Sequence, residues 1–188
     1  MSGEGGGELV PPVSERDHAS GDPHAAVTLV EYGDYECPHC GMAYPIVKSI
    51  QHRMGKKLRF VFRNFPLAES HPHARHAAEA AEAAAAQGKF WEMHDAIYEN
   101  QDRLEDEDLV ELARRLKLDQ QKIATALAEG TYTARVREDF RSGVRSGVNG
   151  TPTFFINGQR YDEAWPDEDA FVRALERVAK AATTGAGR

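Results

Sequence analysis

Residues Glu31–Cys40 have the sequence EYGDYECPHC, which brings two cysteines directly after a short apolar segment. That segment, Ala26–Tyr32, is apolar and β-branched and is bounded by proline and glycine, which is typical of a buried strand. From Cys37 onward apolar residues recur every three or four positions until Gly55, which predicts a helix. The sequence therefore places Cys37 where a buried strand passes into a helix.

The remaining segments predict a sheet interrupted by helices. A second strand is indicated by Leu58, Phe60 and Phe62, which alternate with Arg59, Val61 and Arg63. Helix formers dominate from about residue 73 to 148, after which Thr153–Ile156, the turn Asn157-Gly158 and a last helix capped by Asp167 follow. The order β-α-β, helical insert, β-β-α predicts the α/β (α+β) class. We expect a mixed β-sheet flanked by helices, with an inserted all-helical subdomain.

Composition limits the domain organisation. The 188 residues are enough for one domain with a core, and 41% of them are hydrophobic. The first residues are rich in Gly, Glu, Pro and Ser. We predict a flexible leader at residues 1–24, a sheet domain at 25–66 and 148–182, a helical insertion at 67–147 and a flexible tail at 183–188.

Charge and hydropathy exclude several classes of partner. The formal net charge is −7 and the basic residues are scattered, which argues against nucleic-acid binding. No run approaches the roughly 18 apolar residues of a membrane helix, so we expect no membrane insertion. The N-terminus lacks the apolar segment of a secretory signal. We expect a cytoplasmic location if the chain is complete, and a periplasmic or extracytoplasmic one if an export signal was removed.

Cys37 and Cys40 are the two cysteines of the chain, and their spacing calls for a chemical explanation. A disulfide across two residues closes a small loop and adds little stability. At a helix start, unpaired backbone N–H groups and the helix dipole stabilise a thiolate at Cys37. Pro38 suits an early helical position, and His39 can add positive charge beside the sulfur. Cys37 is therefore the expected attacking sulfur, and Cys40, one turn along, the resolving one.

A stabilised thiolate favours the reduced pair, so the oxidised pair becomes a disulfide donor. Glu36, which we expect to be exposed, opposes this effect with its negative charge. A zinc site is an open alternative, in which His71, His73 and His76 would complete the ligand set. We otherwise expect these three histidines to occupy a solvated helix start.

Residues 31–40 together with Gly147–Gly158 (GVNGTPTFFING) resemble the DsbA-like thioredoxin-fold thiol–disulfide oxidoreductases. The segments 64–67 (NFPL), 71–72 (HP) and 87–91 (QGKFW) are similar to those that open and line the helical insertion of that family. The resemblance covers about residues 25–182. It implies a monomeric enzyme without cofactor or metal that exchanges disulfides with cysteine-containing proteins or peptides and with an unidentified redox partner.

The resemblance also assigns roles to individual residues. It implies that Pro152 follows a cis peptide bond and that Thr151 offers its backbone to an extended substrate segment. It also implies that Glu31, at the end of the first strand beneath Cys40, relays protons from the resolving thiol.

Two alternatives within this fold stay open. Threonine before the cis proline also occurs in disulfide isomerases and reductases, so a cytosolic reductase or isomerase is one of them. A kappa-type glutathione transferase-like enzyme is the other, although such enzymes generally lack the second cysteine that Cys40 provides.

Overall fold

The computed structural model describes residues 7–185. The elements in chain order are β1 (His18–Gly21), β2 (Val27–Gly33), α1 (Pro38–Met54), β3 (Leu58–Asn64), α2 (Ala74–Ala85), α3 (Phe90–Glu99), α4 (Asp106–Arg115), α5 (Gln120–Glu129), α6 (Thr133–Arg145), β4 (Thr153–Ile156), β5 (Gln159–Tyr161) and α7 (Glu168–Gly185). The strands form one mixed five-stranded sheet in the order β1-β3-β2-β4-β5. The predicted α+β class is confirmed. No helix within residues 7–185 has the length and apolar character that crossing a membrane requires.

The described chain forms two compact units. The sheet unit comprises the chain up to Tyr32, the segment Met42–Arg63 and the chain from Ser142 onward. The helical unit comprises Gly33–Gly41 and Asn64–Arg141. The cysteine segment therefore belongs to the helical unit.

In the sheet unit, β2 is buried along nearly its whole length. It pairs antiparallel with β4, so that Glu31 lies opposite Phe154. The turn between β4 and β5 uses Asn157 and Gly158 with φ angles of 46° and 84°, the left-handed conformation of a tight hairpin. The predicted hairpin is confirmed.

The N-terminal segment differs from the prediction, because part of the expected flexible leader is ordered. Strand β1 pairs antiparallel with β3. Upstream, Leu9 is 4% exposed and donates its N–H to the carbonyl of Gly158 at 2.8 Å. β1 pairs through its backbone and has no apolar alternation, so the sequence pattern does not predict it as a strand. Residues 1–6 of the predicted leader lie outside the described residues.

The C-terminal end shows a smaller difference. Helix α7 continues to Gly185, so residues 183–185 of the predicted tail are helical. Residues 186–188 of that tail lie outside the described residues. At the other end of α7, Asp167 accepts a hydrogen bond from the N–H of Ala170 at 2.9 Å, so the predicted cap is confirmed.

The helical unit has a polar cluster within its core. Helix α2 buries nine of its twelve residues, most of them alanine, and packs against α3 and α5. The side-chain amide of Asn64 donates to Glu82 at 2.8 Å and to Asp139 at 3.0 Å. Burial raises the pKa of Asp139, although the positive charge of Arg135 opposes this. These contacts hold Asn64 against α2 and α6.

Candidate active site

The two cysteines occupy the start of α1. Helix α1 begins at Pro38, so Cys37 lies immediately before the helix and Cys40 in its first turn. Cys37 is 5% exposed and Cys40 is 0% exposed, whereas Pro38 and His39 are exposed. The residual exposure of Cys37 is consistent with its predicted role as the attacking residue.

Asp34 makes hydrogen bonds to both cysteine residues. Its Oδ1 accepts hydrogen bonds from the backbone N–H of Glu36 at 2.8 Å and of Cys37 at 3.2 Å. Its own N–H donates to the Sγ of Cys40 at 3.5 Å. Asp34 is 1% exposed, so its carboxylate depends on these protein donors. The side chain therefore fixes the turn in which the two sulfurs are held.

The second carboxylate oxygen of Asp34 contacts the insertion. It accepts the N–H of Leu67 at 2.9 Å and lies 2.8 Å from Nδ1 of His71. Burial disfavours the charged form of His71, but the hydrogen bond and charge of Asp34, with the charges of Cys37 and Glu36, outweigh it and raise the pKa of His71. His71 is half-buried, with its side chain 20% exposed, and its ring lies against a buried carboxylate, a contact that the expectation of a solvated helix start does not include.

Glu36 is half-buried rather than exposed. Its Oε2 accepts the backbone N–H of His73 at 2.7 Å, which ties the residue before Cys37 to the start of α2. Glu36 also borders a polar cavity of about 400 Å³ in the helical unit, whose other lining residues are His73, Gln101, Asp102, Arg103, Leu104, Glu105 and Asp108. The lining of this cavity is therefore predominantly acidic.

Gln101 binds the backbone on both sides of Glu36. Its Nε2 donates to the carbonyl of Tyr35 at 3.0 Å and to that of Cys37 at 2.7 Å. Its amide also fills the space beside Gly41, where a Cβ would collide with it. Sequence reasoning missed Gln101, because a glutamine just after a helix carries no local signal of a partner more than sixty residues away.

We expect Gly41→Ala to change the free energy of unfolding differently in the wild-type chain and in a Gln101→Ala chain. Alanine is favoured over glycine within a helix by about 1 kcal/mol. In the wild-type chain it displaces Gln101 from two carbonyls, each worth about 1 kcal/mol, so we expect no gain or a loss of stability. In a Gln101→Ala background the same change should stabilise the chain by up to about 1 kcal/mol. Urea denaturation of the wild-type chain, the two single variants and the double variant measures this, and equal effects of Gly41→Ala in both backgrounds would rule out the stabilising role of the Gln101 hydrogen bonds.

The remaining predicted site residues lie in the sheet unit. Glu31 is 3% exposed and occupies the interior of β2 rather than its end, since β2 continues to Gly33. The Thr151–Pro152 peptide bond is cis, as the resemblance implies, and the pair directly precedes β4. The roles of Glu31 and Thr151 stay predictions. Within residues 7–185 no three His, Cys, Asp or Glu side chains form a group that could hold a metal ion.

The family model named Thioredoxin_4, described as thioredoxin, matches residues 13–177. The chain belongs to this thioredoxin family. The match includes both cysteines, Glu31, Thr151 and Pro152. It spans the sheet-forming segments and the helical insertion alike.

Solved structures of family members are similar over nearly the whole chain. BdbD from Bacillus subtilis in its oxidised form is 26% identical, with a TM-score of 0.81 over 93% of this chain and 97% of that chain. A thioredoxin-like oxidoreductase from Silicibacter pomeroyi DSS-3 is also 26% identical, with a TM-score of 0.77 over 89% and 94%. Wolbachia pipientis alpha-DsbA1, at 20% identity and a TM-score of 0.77 over 94% and 97%, shares the fold. The prediction of a DsbA-like thioredoxin-fold oxidoreductase is confirmed.

Curated relatives of this thioredoxin-family chain carry a different name. The Na(+)/H(+) antiporter NhaA 3 of Salinispora tropica is 46% identical over 173 residues, which are 92% of this chain and 26% of that protein. The chain spans about a quarter of the length of the curated relatives it matches. The similarity therefore concerns one segment of those longer proteins.

Proposed function

We propose that this chain exchanges disulfides with cysteine-containing proteins or peptides through a mixed disulfide at Cys37. The observation that carries the proposal is the CPHC segment at the start of α1, with Cys37 slightly exposed and Cys40 fully buried. A sulfur before the first turn of a helix lies near N–H groups and the positive end of the dipole, both of which favour a thiolate. Cys40 can then attack the mixed disulfide at Cys37 and release the bound substrate as a thiol, with the Cys37–Cys40 disulfide formed in its place.

The proposed oxidative cycle moves two electrons. A substrate thiolate attacks Cys37 of the oxidised pair, the Cys37–Cys40 bond breaks, and Cys40 leaves as the thiolate. A second substrate thiolate then attacks the substrate sulfur of the mixed disulfide and releases Cys37 as a thiolate. The substrate leaves with a disulfide and the reduced pair passes two electrons to a redox partner.

We assign the supporting roles as the resemblance implies them. The backbone of Thr151, before the cis bond to Pro152, binds an extended segment of the substrate by strand addition. Glu31 exchanges protons with the resolving thiol, and its burial on β2 supports a role in general acid–base chemistry. No cofactor enters this cycle.

The direction of net transfer is part of the proposal. Stabilisation of the Cys37 thiolate favours the oxidase direction, which fits an oxidising compartment outside the cytosol. The negative charges of Glu36 and Asp34 favour the alternative, a reductase or isomerase supplied by a cytosolic reductant. The antiporter names belong to proteins four times as long, so the proposal rests on the cysteine pair and includes no ion transport.

Trapping with Cys40→Ser tests this proposal. The variant keeps Cys37, whose thiolate attacks a substrate disulfide and displaces one substrate thiolate, and it lacks Cys40, which would release the substrate from the mixed disulfide. Mixed disulfides with cellular proteins should therefore accumulate and be detected by non-reducing electrophoresis. The trapped partners identify the substrates and, by their location, the compartment.

The matched control is Cys37→Ser, which should trap nothing. Absence of trapped species from Cys40→Ser would contradict the exchange mechanism. Turnover of an electrophilic substrate with glutathione that survives in Cys40→Ser would instead favour the transferase alternative.

A further inference from the structure

A histidine–carboxylate pair contacts the backbone that carries Cys37. Asp34 binds the N–H of Cys37 with one carboxylate oxygen and the ring of His71 with the other. We infer that His71 is a positioning residue that, through Asp34, sets how readily Cys37 ionises. The inference rests on the proposed function, since it concerns the same redox pair.

The first step concerns the effect of the Asp34 charge on the ionisation of Cys37. Its carboxylate is 1% exposed and accepts all its hydrogen bonds from protein groups: the N–H groups of Glu36, Cys37 and Leu67 and the ring of His71. A buried negative charge so close to Cys37 disfavours a second negative charge on its sulfur. Asp34 therefore fixes the geometry of the turn and, without compensation, opposes the thiolate that the chemistry needs.

The second step concerns the compensating charge. Nδ1 of His71 lies 2.8 Å from the Asp34 carboxylate, and the side chain is 20% exposed, so it can exchange protons with solvent. The charged groups that act on His71 are Asp34, Cys37 and Glu36, and all three are negative when ionised. His73 supplies only a backbone N–H, to Glu36. A protonated His71 therefore neutralises Asp34 and lowers the cost of the Cys37 thiolate.

This arrangement has a defined dependence on pH. The pKa of His71 lies above that of an ordinary histidine, because the negative neighbours outweigh the burial that disfavours its charge. Below that pKa, His71 is charged and supports the thiolate. As the pH rises through it, the support is lost and disulfide donation weakens.

The test uses His71→Gln, whose amide can still donate to Asp34 but carries no charge. We expect the Cys37 thiol, followed by ultraviolet absorbance of the thiolate, to titrate about one pH unit higher. In the equilibrium of the reduced pair with glutathione disulfide, which yields the protein disulfide and two glutathione thiols, we expect about a tenfold shift toward the protein disulfide.

The matched control is His76→Gln. Nδ1 of His76 also lies close to a carboxylate, Asp106 at 2.6 Å, but that pair joins α2 to the start of α4. The control should leave both readouts at their wild-type values. An equal shift in His76→Gln, or no shift in His71→Gln, would overturn the inference.

A double variant separates charge from packing. In Asp34→Asn with His71→Gln both charges are absent, so the Cys37 thiol should titrate closer to the wild-type value than in His71→Gln alone. If the Cys37 thiol of the double variant titrates at the same pH as that of His71→Gln, then His71 acts by packing. If the wild-type pair itself does not cycle with glutathione, the proposed function fails; if it cycles and His71→Gln changes nothing, only this inference fails.

Discussion

Cys37→Ser should reduce the rate of thiol–disulfide exchange between the reduced chain and a disulfide-bonded peptide by about 10⁴-fold or more, because the serine hydroxyl cannot form the mixed disulfide. Cys40 is 0% exposed and follows Cys37 by nearly one helical turn, so it is poorly placed to replace the missing sulfur. The measurement is the rate at which the reduced chain attacks the disulfide-bonded peptide and forms the mixed disulfide, followed by mass spectrometry after alkylation. The effect should be on the chemical step, with stability nearly unchanged.

Cys40→Ser provides the matched comparison, since it makes the same chemical change one turn away. With a disulfide-bonded peptide as substrate, the Cys37 thiolate of that variant should still form a mixed disulfide rapidly by displacing one peptide thiolate, but the variant should fail to complete the cycle. A Cys37→Ser chain that keeps its exchange rate while Cys40→Ser loses it would reverse the assigned roles. If both variants fail completely to form the mixed disulfide, the two sulfurs act only as a pair.

The parts of the fold that could be predicted are those specified by local pattern. The apolar run Val27–Tyr32 and the alternation at 58–63 indicate β2 and β3. A buried strand restricts the residue type at successive positions, so it can be recognised from the hydrophobic pattern. Asn157-Gly158 specifies its turn because both residues tolerate positive φ. The CPHC spacing similarly indicates the proposed redox pair, since two sulfurs one turn apart serve few other purposes.

The contacts that could not be predicted join residues distant in the chain. Asp34 and His71 are 37 residues apart, and the distance between them depends on how the insertion folds. Gln101 reaches Cys37 across 64 residues. Neither residue type indicates its partner, because histidine and glutamine also occur commonly on solvated surfaces, where they have no protein partner. Strand β1 is missed for a related reason: its four residues pair through the backbone.

Arg63→Met should destabilise the chain by about 3–5 kcal/mol, the typical cost of removing one partner of a buried ion pair. Alternation along β3 gives no warning that Arg63 is 2% exposed. Its guanidinium donates to both carboxylate oxygens of Asp17, at 2.8 and 3.0 Å, and to the hydroxyl of Tyr32 at 2.9 Å. Burial disfavours its charge, but the hydrogen bonds to Asp17 and Tyr32 outweigh this and raise the pKa of Arg63.

The size of the effect follows from what the substitution leaves behind. The Asp17 side chain is 6% exposed, so its carboxylate stays buried and loses the charge of Arg63. The carbonyl of Pro11, which Arg63 also binds at 3.0 Å, loses a donor at the same time. The segment upstream of β1 should therefore loosen, and limited proteolysis within it should accelerate in parallel with the loss of stability.

A double-variant cycle distinguishes this ion pair from simple loss of packing. Arg63→Met, Asp17→Asn and their combination are compared by urea denaturation, and the double variant should be less destabilised than the sum of the singles by about 0.5–3 kcal/mol. Arg53→Met is the matched control, because Arg53 forms ion pairs with Glu168 and Asp169 while its side chain is 40% exposed, and solvent-exposed pairs contribute little. Strict additivity of the two single changes would mean that the charges do not stabilise one another. In that case the ordered N-terminal segment would have to be held by its backbone pairing alone.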